Sequence, residues 1–270
     1  MKKIIYSWII ILVTLSTTAY AQDAQSELLS CKASHERINP DIEDDGMLWY
    51  RTSASKKAIF NQINSQVLTA VSKYKNSESQ LSSSKGVVIS LDSTVFDSSD
   101  YDYYKDLGCI DKNMTFGQFI RKYELSANIG MGDLLCSLQS QGLKIFLVTN
   151  RSVTNEFSDD ETKKDTIKNL EDKNICFDAI LFANSDTDTN KNPRFNAISS
   201  GDYENINTTK KFGPINVVAY LGSDIQDFPN FKQDSAKLLN TDSPQFNNFG
   251  TSYFIYPNPI LGSWSSNYWK

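Results

Sequence analysis

Histidine is almost missing: His35 is the single one among 270 residues. Chemistry that needs two imidazoles is therefore closed to one chain. A Ser/His/Asp triad would have to recruit His35 from a polar N-terminal stretch, where it reads as a solvated surface residue. Cysteine is sparse. Cys31, Cys109, Cys136 and Cys176 include no Cys-x-x-Cys, which leaves a zinc or thioredoxin-like site without support. Basic charge is in deficit, with 27 Lys and Arg against 32 Asp and Glu, a net charge of −5. Nucleic acid and anionic membranes recruit clustered cations, so neither is an expected partner. Past the N-terminus no apolar run is long enough to span a bilayer, so the mature protein is expected to carry no transmembrane segment.

What the N-terminus does carry is an address. "MKK" supplies positive charge, "IIYSWIIILVTL" a short apolar run and "STTAYA" a small-x-small ending. This reads as a secretory signal over residues 1–21, cleaved near Ala21. A membrane anchor is the competing reading, but the run is short and the flank turns polar at once. A lipid anchor would need a cysteine directly after the run, and Cys31 lies behind "QDAQSELLS". The expected location is the periplasm or the exterior. There the cysteines meet an oxidising space. Three full pairings are open, and buried free thiols at Cys136 and Cys176 are an equal alternative.

Residues 22–46 are polar and acidic, an expected extended lead-in. "MLWYRTSASKKAIFNQINSQVLTAVSKY" (47–74) has apolar residues at helical spacing and predicts one long helix. Four apolar β-type runs follow: "VVISL" (87–91), "KIFLVT" (144–149), "FDAILFA" (177–183) and "INVVAYL" (215–221). Helical patterns separate them: "TFGQFIRKYELS", "MGDLLCSLQSQG", "DDETKKDTIKNLEDKN" and "PRFNAISSG". The tail segment "SYFIYPNPILGSW" holds another short strand and a turn. Continuous apolar strands alternating with helices predict an α/β fold: a Rossmann-like, doubly wound parallel sheet covered on both faces.

In such sheets ligands bind beyond the carboxyl ends of the strands, where strand order reverses. Ser90, Asp92 and Thr94 follow the first run; Thr149, Asn150 and Arg151 the second; Asn184, Ser185 and Asp186 the third; Gly222, Ser223, Asp224 and Asp227 the fourth. Strand alternation lets Ser90 and Asp92 face one pocket if the strand persists to Asp92.

"VVISLDSTVFDSSDY", "KIFLVTNRS", "VVAYLGSDIQDF" and "YPNPILGSW", in that order, resemble the haloacid dehalogenase (HAD) superfamily. The closer match is to its class C secreted acid phosphatases (subfamily IIIB), including the outer-membrane lipoprotein 5′-nucleotidases. "LWYRTSASKKAIFNQ" resembles their N-terminal helix. The resemblance covers 47–270 and implies the HAD fold, with a small, mainly helical insert at about residues 98–128.

It also implies an Asp nucleophile that ligates Mg²⁺, a second Asp as acid/base whose carbonyl ligates it too, a Thr or Ser holding the phosphoryl group, a charge-balancing Lys, and a Gly-Asp pair at the metal. The chain departs from this pattern. Ser90 stands at the nucleophile position and Ser223 at the metal-ligand Asp. The lysine region "FANSDTDTNKNPRF" has no lysine before Lys191, a fallback phosphate-binding cation read against a solvated surface lysine. Asp92 keeps the acid/base position, Thr149 and Asn150 the phosphate position, and Asp92 with Asp224 the remaining metal candidates. Asp227 reads as a loop-shaping residue. The family's substrate-gripping aromatics correspond to Phe116 and Leu261.

Mg²⁺ demands hard oxygen ligands, and a hydroxyl does not neutralise a divalent ion. The expected metal site is weak or absent. A serine nucleophile needs an adjacent base. The resulting expectation is an exported, catalytically impaired acid-phosphatase-like protein whose pocket takes a phosphomonoester, a nucleotide or another anion. The alternative is an active Mg²⁺-dependent acid phosphatase or 5′-nucleotidase of low or altered activity. In a third reading the old pocket is irrelevant and the aromatic-rich segments "YDYYKDLG" and "FGTSYFIYP" serve an interface, against plain core packing.

Overall fold

A computed structural model describes residues 24–34, 45–74, 84–153 and 160–267. The expected signal segment 1–21, its expected cut near Ala21, and His35 lie outside these residues. In chain order the elements are α1 (24–34), α2 (Asp45–Thr52), α3 (Ala54–Ser72), β1 (Lys85–Ser90), β2 (Phe96–Asp97), α4 (Ser99–Asp106), α5 (Phe116–Lys122), β3 (Ser126–Ala127), α6 (Met131–Ser140), β4 (Lys144–Ser152), α7 (Glu161–Asp172), β5 (Ala179–Ala183), α8 (Asn192–Ser200), β6 (Asn207–Thr208), β7 (Asn216–Gly222) and β8 (Tyr253–Ile255). No helix among the described residues is long and apolar enough to cross a membrane.

The chain divides into two compact units. One joins α1 to the segment Asp100–Leu125; the other holds Asp45–Ser99 and Ser126–Lys270. Within the first, a disulfide links Cys31 to Cys109. Tyr101 meets Phe116 and Phe119 edge-on, and Tyr103 and Tyr104 are buried, so these aromatics of "YDYYKDLG" pack inward. The expected extended lead-in is instead helical over 24–34: Ala24 and Leu28, one turn apart, are both buried.

The second unit is built on a six-stranded sheet in the order β6-β5-β4-β1-β7-β8, parallel except for the short edge strand β6. Val88, Phe146, Val148 and Leu181 point to one face, where Phe195 and Ile198 of α8 pack on them. Their strand neighbours Val87, Ile89, Leu147 and Ile180 are equally buried and, by alternation, point to the other face. Both faces are covered, as the unbroken apolar runs predict. The connection runs outward from β1 to β4 and β5, then returns across β1 to β7. The order therefore reverses at β1, whose tip lies between the tips of β4 and β7.

The helix predicted over 47–74 is two helices. Ser53 sits between them in an extended conformation, and its side chain accepts from Ser55 N, capping α3. A Ser N-cap competes well with helix continuation. A disulfide joins Cys136 to Cys176, so the buried-thiol reading of these two does not hold. Phe249 and Tyr253 of "FGTSYFIYP" pack with Phe228.

Candidate active site

Ser90 is the last residue of β1. The strand does not persist to Asp92, which makes only an isolated bridge to Phe96, yet both residues line one cleft of about 300 Å³. Thr149, Asn150, Lys191, Ser223, Asp224, Asp227 and Leu261 line the same cleft. The tips of β1, β4 and β7 thus deliver predicted polar residues to one place, whereas Asn184, Ser185 and Asp186 after β5, with Thr94 and Arg151, do not line the cleft. Phe116 lies in the other unit, on α5. Leu261 is 47% exposed at the cleft's rim.

For Lys191 the solvated-surface reading does not hold. Its side chain is not solvated: the residue is 7% exposed, and its Nζ donates to Ser90 Oγ (2.9 Å) and Asp227 Oδ1 (2.5 Å). A lysine from the segment after β5 therefore reaches the cleft. Arg194, one turn further along α8, was not anticipated. It is 1% exposed and donates to Thr149 O (2.6 Å) and Asn150 Oδ1 (3.2 Å). Burial pulls its guanidinium below the ordinary range, and Asp188 pulls the other way. The available signal was the Lys-x-x-Arg spacing in "KNPRF", which sets both side chains on one side of a helix start.

Each carboxylate in the cleft has donors on both oxygens. Arg151 grips Asp92 through Nε (3.0 and 3.1 Å) and Nη2 (2.6 Å), and Thr149 Oγ1 adds a further bond (3.0 Å). Arg151 is itself steadied by Thr166 Oγ1 (2.9 Å). Asp227 Oδ2 accepts from the backbone of Ser223 (2.9 Å) and Asp224 (3.0 Å). It lies so close over Gly222 that an added Cβ there would meet Asp227 Cβ at 2.3 Å, which excludes any side chain. Asp224 caps the following turn through Gln226 N (2.8 Å) and accepts from both Ser263 N and Ser263 Oγ.

The loop after β1 is held from outside the cleft. Ser93 adopts a positive φ of 61°, a costly conformation for a side-chain-bearing residue. Buried Asn128 Nδ2 lies within hydrogen-bond reach of the carbonyls of Ser93, Thr94 and Phe96 (3.1–3.3 Å), and Asn128 N donates to Val95 O (2.8 Å). Tyr50 donates its hydroxyl to Asn128 Oδ1 (3.3 Å). Burial first, then Asp97, push the Tyr50 phenol up, and the bond to Asn128 pulls the other way, so the hydroxyl stays a donor. Sequence gave no sign of Asn128, because nothing local marks a residue that acts across the fold.

Fold and cleft define a class: a doubly wound α/β protein with Asp92 past β1, Thr149-Asn150 near the carboxyl end of β4, Lys191 past β5 and a Gly222–Asp227 turn at the end of β7. The chain belongs to the HAD superfamily, subfamily IIIB (acid phosphatase), whose family pattern matches residues 16–264. A solved structure of the class C acid phosphatase from Bacillus anthracis is similar, with a TM-score of 0.64 and 24% identity, over 81% of this chain and 84% of that one. The same enzyme with tungstate bound aligns at 23% identity and the same TM-score of 0.64, covering 81% of this chain and 84% of that one. No curated protein matches the chain.

Acid phosphatases of this family typically depend on Mg²⁺. The donor set here does not fit that ion. Two of the expected ligand positions are the hydroxyls of Ser90 and Ser223. The oxygens of Asp92 and Asp224 already face N–H and O–H donors, and Lys191 brings an ammonium to Ser90.

Proposed function

We propose that this chain is an exported acid-phosphatase-like protein that has lost phosphoryl transfer and keeps its cleft to bind a phosphate-class ligand. The observation that carries this reading is the hydrogen bond from Lys191 Nζ to Ser90 Oγ. The neighbour of the nucleophile position is an ammonium that donates, itself bound to Asp227, and not a base that could take the hydroxyl proton. Asp92, the other candidate base, has both oxygens engaged by Arg151. Loss of the nucleophile costs a well-studied hydrolase roughly a million-fold in turnover. Lys191 supplies the charge-balancing lysine, so two departures from the family pattern remain: Ser90 and Ser223.

Binding is supported by what the cleft keeps. Thr149, Asn150 and Lys191 converge with Ser90, and a related acid phosphatase has been solved with tungstate, a tetrahedral oxoanion. Export is supported by the signal-like pattern of residues 1–21 and by two disulfides, which persist in oxidising compartments.

A slow or altered phosphomonoesterase is the second reading, favoured by the convergence of Asp92, Asp224 and Asp227 on one cleft. Hydrolysis of an aryl phosphate at mildly acid pH, with and without added Mg²⁺, separates the two. No metal-dependent turnover is expected; turnover that rises reproducibly with Mg²⁺, slow or fast, overturns the first reading and leaves the second.

A further inference from the structure

We infer that the cleft is a metal-independent site for tetrahedral oxoanions, with hydrogen-bond donors supplied by its own side chains. This deepens the binding role just proposed and rests on it. The inference comes from where charge and protons lie. Asp92 is matched by Arg151 and Asp227 by Lys191, each as a close ion pair (2.6 and 2.5 Å). Asp224 is matched by Gln226 N and Ser263. The carboxylates are thus already partnered, and a hard divalent cation finds hydroxyls where it needs anionic oxygens.

An oxoanion finds the opposite. Lys191 donates into Ser90 Oγ, so the hydroxyl's own proton is left to point elsewhere, and the cleft is the space that Ser90 lines. A carboxylate at position 90 would offer only acceptors and repel the ligand. Ser223 makes the same exchange of a charge for a neutral hydroxyl on the cleft wall. Two carboxylates fewer means two negative charges fewer, the charge of one divalent ion. Relative to the pattern the resemblance implies, the site has shed the ion and its counter-charges together. The ligand class follows: a compact dianion such as inorganic phosphate or the phosphoryl end of a monoester.

The test is a thermal shift with inorganic phosphate, run in EDTA and again in Mg²⁺, with nitrate, a planar monoanion, as the control for non-specific anion effects. The expected result is a rise in Tm with phosphate in EDTA, unchanged by Mg²⁺ and absent with nitrate. Ser90→Asp with Ser223→Asp should weaken phosphate binding by at least about tenfold in EDTA, since like charges meet at close range, and Mg²⁺ should restore it. Should that double variant not fold, Ser90→Ala serves instead: it removes the donated proton and should reduce the shift without introducing a metal requirement. A wild-type shift that requires Mg²⁺, no shift at all, or an equal shift with nitrate overturns the inference. Turnover of the aryl phosphate by the same sample decides the proposed function separately. An inactive protein that phosphate does not stabilise keeps the loss of phosphoryl transfer and gives up both the binding role and the metal-independent site, whereas one that phosphate stabilises only in Mg²⁺ gives up the metal-independent site alone.

Discussion

Lys191 and Asp227 face each other at 8% and 5% side-chain exposure, and that burial sets what their removal does. Lys191→Met leaves an uncompensated buried carboxylate, and breaking such a pair costs about 3 to 5 kcal/mol. Adding Asp227→Asn should return much of that stability in urea unfolding, but not phosphate binding. Recovery of both would mean the ammonium does not touch the ligand. Asn128 acts at the same scale from further away. Asn128→Ala strips donors from three buried carbonyls and should cost roughly 1 to 3 kcal/mol. Because it releases the loop at Ser93, it should also weaken phosphate binding; unchanged affinity in a folded variant would make Asn128 structural only. Ser90, Asp92, Thr149, Asn150, Ser223 and Asp224 were legible because each lies at or just past the end of an apolar run. Lys191 was legible only as one of two alternatives and Arg194 not at all, because a long polar loop hides which helix turn comes back to the sheet.

Among the elements, the strands were the most readable part, since a strand buried on both faces has to be continuously apolar. The break at Ser53 and the helix α4 were harder, because capping and packing override a helical period or create a helix where the period is weak. Asp178, at the entry to β5, shows how elements are pinned together. It accepts from Ile145 N (2.9 Å), Lys144 Nζ (2.9 Å) and Gln139 Nε2 (3.2 Å), joining α6, β4 and β5. Burial pushes its carboxyl up, but those three donors together bring it below the ordinary carboxylate range. A carboxyl lowered by folding stabilises above its unfolded value of about 4, and that stability is lost as pH falls through the folded value. Asp178→Asn should therefore lose less stability than wild type on acidification through that range, measured as the Tm difference between neutral and acid buffer. Parallel curves would deny Asp178 this role. The Cys136–Cys176 disulfide closes the same region. Cys136→Ser with Cys176→Ser should cost about 2 to 4 kcal/mol, read from urea midpoints.

At the scale of the molecule the two units differ in how they can be stable. The larger one buries a six-stranded sheet on both faces. The smaller one combines the chain before Asp45 with Asp100–Leu125, and units of that size usually need a staple. The Cys31–Cys109 disulfide is that staple. Cys31→Ser with Cys109→Ser should open the smaller unit selectively, so that limited proteolysis cuts first within residues 100–125 while the chain from 126 onward stays protected. Every residue lining the cleft belongs to the larger unit, so the phosphate-induced rise in Tm should survive in the variant. Simultaneous loss of protection in both units would mean that they unfold as one cooperative body, and loss of the phosphate response alone would mean that the cleft depends on a segment that does not line it.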